Sequence, residues 1–275
     1  VKFYARRLLT ALDRSMLLLA DTAFDANEFL HEVKTGGTQF LVRSSARRVP
    51  TPTRHMPDGS YLARIGYGVL PALIEVRVIE AQVTVTLTDG TVRTEQWRLL
   101  TSLLDPDRYP AGELVRIYHE RWQAETTYFS IKATMLDGRV LRSRRVQGLD
   151  QEVYALLTTY QALIRAAGDA AATRPGLDMD RISFTVLLQT AADQVTTASN
   201  ILSTNPTDLI GAIGRAALGT LLPAWRRPRL KARTRKNPTS KYGPNAGQHP
   251  QTAQAYTFHA DVMFFEHGLT KRPRR

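Results

Sequence analysis

Four side chains in the run IYHERWQAETTYFSIKATML, residues 117–136, are suited to phosphodiester chemistry: Tyr118, Arg121, Glu125 and Lys132. On an α-helix each residue advances by about 100°, so positions spaced by three, four and seven project within roughly 60° of one another. A ring, a guanidinium, a carboxylate and an ammonium would then share one face. A hard divalent cation takes carboxylate oxygens as ligands, and flanking cations hold the phosphate beside it. The same spacing also describes a plain surface stripe with an Arg–Glu ion pair four apart, which stabilises a helix only slightly.

A second carboxylate is needed, and Asp21 is the candidate. It ends SMLLLAD, which reads as a short buried strand, and α/β sheets place ligand groups beyond the C-terminal ends of their strands. A buried acid without a partner there would be costly. A turn or helix-capping role accounts for Asp21 equally well.

The elements that must position these groups follow from periodicity. Residues 3–13 have helical spacing, then comes the strand to Asp21. Asp25 with Glu28 reads as a capping box opening a helix that runs to Gly36 and Gly37, and TQFLVRSS as the next strand. Residues 16–44 are therefore strand, helix, strand. From about 50 to 104 the pattern is β-rich, with TDGT as a hairpin turn. After DPDRYP, helices are predicted over 111–136, 149–167, 181–199 and 206–221. The expected organisation is a core segment at 1–44, a β-rich insertion at 45–104, a helical part at 105–222 and a basic, flexible tail at 223–275.

Lys and Arg outnumber Asp and Glu by 37 to 25, for a net charge of +12 and a pI near 10.2, which points to a polyanionic partner, nucleic acid before membrane. With no cysteine, disulfide scaffolds, zinc ribbons and cysteine nucleophiles are excluded, and a reducing cytoplasm fits. The apolar run SMLLLA is too short for a signal-peptide core or a membrane span. No Walker loop, GxSxG elbow or HExxH motif occurs.

The string Tyr118, Arg121, Glu125, Lys132 resembles the Y-(2)-R-(3)-E-(6)-K signature of DDE transposases of the bacterial insertion-sequence-four type. WRLLTSLLD, RWQAE and LRSRRVQGLDQEVYALL match flanking segments of that family in order, so the resemblance covers about residues 14–240. It implies an α/β fold: an RNase H-like core with a β-strand insertion between its second aspartate, here Asp21, and its glutamate, here Glu125. It further implies two Mg²⁺ (or Mn²⁺) ions held by carboxylates, and cleavage and strand transfer of transposon-end and target DNA. Tyr118, Arg121 and Lys132 would contact end phosphates. A dimer in the DNA complex and a bacterial cytoplasmic location, at the nucleoid when DNA-bound, belong to the same implication.

Two departures stand out. The family's DRGF text is DTAF at residues 21–24, and its first aspartate would lie upstream of Val1, Asp13 being placed on a helix end. The chain is thus expected to correspond to the carboxy-terminal two-thirds of such an enzyme, without the core's first strands, and to be impaired in catalysis. A non-catalytic DNA-binding remnant and a basic RNA-binding protein are the rivals, though simple polyanion binding needs no glutamate amid a positive stripe.

Further positive charge lies at Arg139, Arg142, Arg144 and Arg145, either tracking DNA or in a solvated loop. More lies in the tail at Arg226, Arg227, Arg229, Lys231, Arg233, Arg235, Lys236 and Lys241, where each phosphate neutralised would steepen salt dependence. Trp97 and Trp122 could stack on an extruded base, with core packing the favoured reading of both; His31 and His119 read as surface residues.

Overall fold

A computed structural model of the chain describes residues 2–66, 73–200, 209–223, 229–230 and 254–263. They fall into two compact units, residues 1–122 with 257–275 and residues 123–256.

In the first unit, helix α1 (Lys2–Leu8) leads through a 3₁₀ turn to strand β1 (Leu17–Ala20). Helix α2 (Asn27–Thr35) and strand β2 (Gln39–Arg43) follow, and β2 runs parallel to β1, as a strand–helix–strand crossover requires. Strands β3 (Pro52–His55), β4 (Tyr61–Ile65), β5 (Ile74–Leu87) and β6 (Val92–Thr101) then add antiparallel, in the order β1-β2-β6-β5-β4-β3. The TDGT turn closes the β5–β6 hairpin, with Gly90 at φ 82, a conformation that costs glycine least.

The β-rich segment is not a separate body. Val42 of β2 pairs with Leu100 of β6, so the strands of 45–104 continue the same sheet, and the first unit runs on to Trp122. Period-two alternation divides the core between the two sheet faces. Phe40, Val42, Val76 and Val78 pack with Phe29, Leu30 and Val33 of α2 on one face. On the other, Leu41, Ile79 and Leu99 pack with Leu114, Val115 and Tyr118 of helix α3 (Ala111–Glu120). With both faces covered, β2 is apolar at consecutive positions.

Asp25 does not open α2. The N-cap is Ala26, which makes no side-chain capping bond, and the Asp25 side chain is fully buried. It accepts from the Ser45 amide at 2.7 Å, the Ser44 hydroxyl at 3.1 Å and Arg48 Nε at 2.8 Å. A buried guanidinium partner offers the carboxylate more than an exposed helix end does.

The second unit holds helix α4 (Gln123–Phe129), a π-helical segment over Ser130–Met135, and helices α5 (Val146–Ala172), α6 (Phe184–Asn200) and α7 (Leu209–Gly219). Leu163 and Ala167 of α5, Leu187 of α6 and Ala217 of α7 form its core. Gly214 lets α7 approach α5 closely, since a Cβ there would meet that of Ala170 at 3.3 Å.

The segment expected as a flexible tail contains two strands, β7 (Arg229–Leu230) and β8 (Gln254–Val262). They pair with each other, and β8 also pairs with β5. The alternation of Phe258, Ala260 and Val262 with polar residues allows this, although the basic run before it dominates the composition.

Candidate functional site

Asp21 stands one residue past β1 with extended backbone, φ −86 and ψ 179, and caps a 3₁₀ turn over Thr22–Phe24. Its Oδ1 accepts from the Ala23 amide at 2.9 Å. It is a turn cap just past a strand end, the capping role being the one these contacts describe. Oδ2 makes no hydrogen bond among the described residues.

Tyr118 lies in the last turn of α3 and is 3% exposed. Its hydroxyl oxygen is buried, with the Arg121 guanidinium as the donor set nearest to hydrogen-bonding geometry. Burial raises the phenol pKa above its ordinary range; the guanidiniums of Arg121 and Arg43 work against the rise, and Asp21 adds to it. Asp21, Arg43 and Arg121 are therefore each close enough to Tyr118 to act on its phenol by charge. Arg121 caps α3, its guanidinium 5.7 Å from the Tyr118 ring centroid.

Arg43, at the end of β2, is a site candidate that the sequence reading missed. Its guanidinium lies 5.2 Å from the Trp97 ring centroid and pairs with Glu95 at 2.5 Å, while Trp97 Nε1 donates to Glu95 at 2.9 Å. The available signal was the predicted strand TQFLVRSS, whose C-terminal end lies beside that of the parallel strand ending at Asp21. A cavity of about 350 Å³ opens here, with Thr22, Arg43, Ser44, Trp97 and Arg98 in its walls.

Trp97 is half-buried and meets Tyr118 edge-on at 5.4 Å, which agrees with the core-packing reading. Trp122 is 48% exposed. His119 is not a surface residue: it stacks on Phe258 at 3.9 Å with the rings 18° apart. Burial lowers its pKa, with Glu120 opposing. The unfolded chain therefore binds the His119 proton more readily than the folded one, so this contribution is intact above the usual pKa of about 6.5 and is lost as pH falls through and below it. The pH slope of unfolding free energy in mildly acidic buffer should flatten in His119→Gln; an unchanged slope would assign the effect elsewhere.

Glu125 sits in the first turn of α4 and is exposed, and Lys132 lies in the π-helical segment, 5.6 Å from the Tyr128 ring centroid. Arg142, Arg144 and Arg145 are exposed in the stretch before α5, where Glu152 accepts from the amides of Arg142 and Ser143 at 2.8 and 2.7 Å and pins the loop. Among the tail cations, the backbone of Arg229 belongs to β7, while Arg226, Arg227, Lys231, Arg233, Arg235, Lys236 and Lys241 lie outside the described residues.

The single helix expected over 111–136 is three segments. The Arg121 amide bonds the Tyr118 carbonyl at 3.1 Å and the Trp122 amide bonds that of His119 at 3.3 Å, a tight turn that ends α3. The π winding over 130–135 then changes the angular advance, and Asp137 and Gly138, both at positive φ, end the run. Tyr118 and Arg121 belong to the first unit, Glu125 and Lys132 to the second. The four side chains therefore do not share the face of one continuous helix.

Carboxylate oxygens are the right donors for Mg²⁺ or Mn²⁺, and the open Oδ2 of Asp21 suits such an ion. Among the described residues, no three His, Cys, Asp or Glu side chains gather as a complete cation site. No described helix is long and apolar enough to cross a membrane.

Residues 2–161 match the family model of the transposase DDE domain. The chain is also 38% identical over 80 residues to the transposase InsG for insertion sequence element IS4 of Escherichia coli K12, an alignment covering 29% of this chain and 18% of that protein.

Proposed function

The chain belongs to the DDE transposase family, of the IS4 type, and we propose that it works on insertion-sequence DNA, binding transposon ends and, with a divalent cation, cutting and transferring strands. The observation that carries this reading is the gathering of charge around Tyr118: Arg121 lies 5.7 Å from its ring, and Arg43 and Asp21, one residue past β1, are near enough to act on its phenol.

In this reading β1, α2 and β2 form part of an RNase H-like core. By the family resemblance Asp21 and Glu125 would hold Mg²⁺ or Mn²⁺, which would supply charge to polarise the phosphodiester and favour deprotonation of the attacking water or 3′-hydroxyl. The chain's own residues orient the backbone. By the same resemblance Tyr118, Arg121 and Lys132 contact phosphates of the transposon end, and Arg43 adds a further cation beside Tyr118. For Arg43 this means exchanging Glu95 for phosphate. Arg142, Arg144 and Arg145, with the cations from Arg229 to Lys236, extend the contact along the duplex. The protein works in the cytoplasm, at the nucleoid when DNA-bound, and as a dimer on paired ends.

The test is nicking of a labelled terminal duplex with Mg²⁺, Mn²⁺ or EDTA, beside binding across a salt series. Metal-dependent nicking is expected, with a log affinity that falls by about 0.9 per phosphate contacted for each unit of log salt. Salt-sensitive binding without nicking in any buffer would instead mark a DNA-binding relative without cleavage. Salt-independent or absent binding would remove the DNA reading altogether.

A further inference from the structure

The family match ends at residue 161, yet β8, almost a hundred residues later, contributes to the same site. It pairs with β5, and just past its end the Met263 amide bonds the Glu80 carbonyl at 2.8 Å. Phe258, Ala260 and Val262 pack against the cluster that contains Leu41, Ile79 and Tyr118, whereas His259 and Asp261 are exposed. Phe258 does more than fill that core. Its ring stacks on His119 at 3.9 Å and lies 6.2 Å from Trp97, whose own ring meets Tyr118 at 5.4 Å.

We propose that β8 is a positioning element of the site: Phe258 clamps His119 and Trp97 and thereby fixes the end of α3, where Tyr118 lies in the last turn and Arg121 is the C-cap. The physical reason lies in that turn. Glu120 ends α3, Arg121 follows in a tight turn, and no glycine or side-chain cap secures the helix end. Aromatic packing from one side is what locks the rotamer of His119 and, through Trp97, the plane of the Tyr118 ring. A group that must meet a phosphate is sensitive to shifts far smaller than those needed to unfold the protein. The role in DNA contact rests on the function proposed above; the positioning of Tyr118 and Arg121 does not.

The experiment compares Phe258→Ala, Phe258→Tyr and Val262→Ala in the full chain, reading melting temperature, binding of a labelled terminal duplex, and the NMR signals of Trp97, Tyr118, His119 and Arg121. Val262→Ala removes apolar contact from the same strand and core but leaves the stack. Phe258→Ala is expected to bind about tenfold more weakly with all four signals displaced, while Phe258→Tyr and Val262→Ala stay within about twofold of the unaltered chain. Equal losses in Phe258→Ala and Val262→Ala at equal loss of melting temperature would reduce Phe258 to core filler and overturn the proposal. So would unmoved Tyr118 and Arg121 signals. If Phe258→Ala does not fold, Phe258→Leu replaces it: displaced signals with weakened binding support the clamp, and unchanged ones sink it. If the unaltered chain binds no DNA, the functional reading fails by itself, and the four signals still decide whether β8 sets the α3 end.

Discussion

Glu125→Gln should reduce metal-dependent nicking by at least about 10²–10³-fold while leaving binding of the terminal duplex intact in EDTA. The amide keeps the size of the side chain and removes the charge that a divalent cation requires. Glu125 is exposed in the first turn of α4, and a melting temperature read beside activity separates a loss of chemistry from a loss of stability. Neutralising an acid also brings no new repulsion from phosphate, so binding should hold or tighten. Asp21→Asn should lose nicking to a similar extent. Its Oδ1 can still accept from Ala23, so the 3₁₀ turn survives and the loss belongs to Oδ2. Equal cleavage by Glu125→Gln and the unaltered chain would remove Glu125 from the chemistry, and with it the residue-by-residue extension of the family signature.

The second large effect is on the fold. Arg77 is fully buried, donating from Nε to the Ser60 hydroxyl at 2.7 Å and from Nη1 to the Tyr109 carbonyl at 2.7 Å, and pairing through Nη2 with Asp58. Burial lowers the guanidinium pKa and Asp58 works against that shift. Asp58 in turn accepts from the Ala111 amide at 2.9 Å, which fixes where α3 begins. Arg77→Met keeps much of the stem's volume but leaves Asp58 and the Tyr109 carbonyl without their partner. Removing one member of a buried pair costs about 3–5 kcal/mol, and because Asp58 is 22% exposed the lower end is expected. Urea unfolding reads this directly. A loss below about 1 kcal/mol would mean that water replaces the guanidinium. Adding Asp58→Asn to Arg77→Met should recover part of the loss, since no buried charge then remains.

Much of the first unit is legible in local pattern. The parallel pair flanking α2, the TDGT hairpin and the β-rich run from 50 to 104 each depend on period and turn chemistry within a few residues. Asp137-Gly138, likewise, supplies the positive-φ pair that ends the signature run. Other features carry no such mark. Nothing between Pro110 and Asp137 breaks helix by propensity except Gly112 in the first turn, so a continuous helix is the natural reading; the turn at Arg121 and the π winding arise from packing.

The sequence alone pointed to the family and to most element types of the first unit, because signature spacing and periodicity are properties of neighbouring residues. Tertiary structure decided which side chains meet. It placed Arg43 and Trp97 beside Tyr118, buried Arg77 and Asp25 where composition would leave them in solvent, and brought Phe258 back onto His119. Such contacts join residues distant along the chain, and their free energy depends on burial and partner geometry, which no local pattern contains.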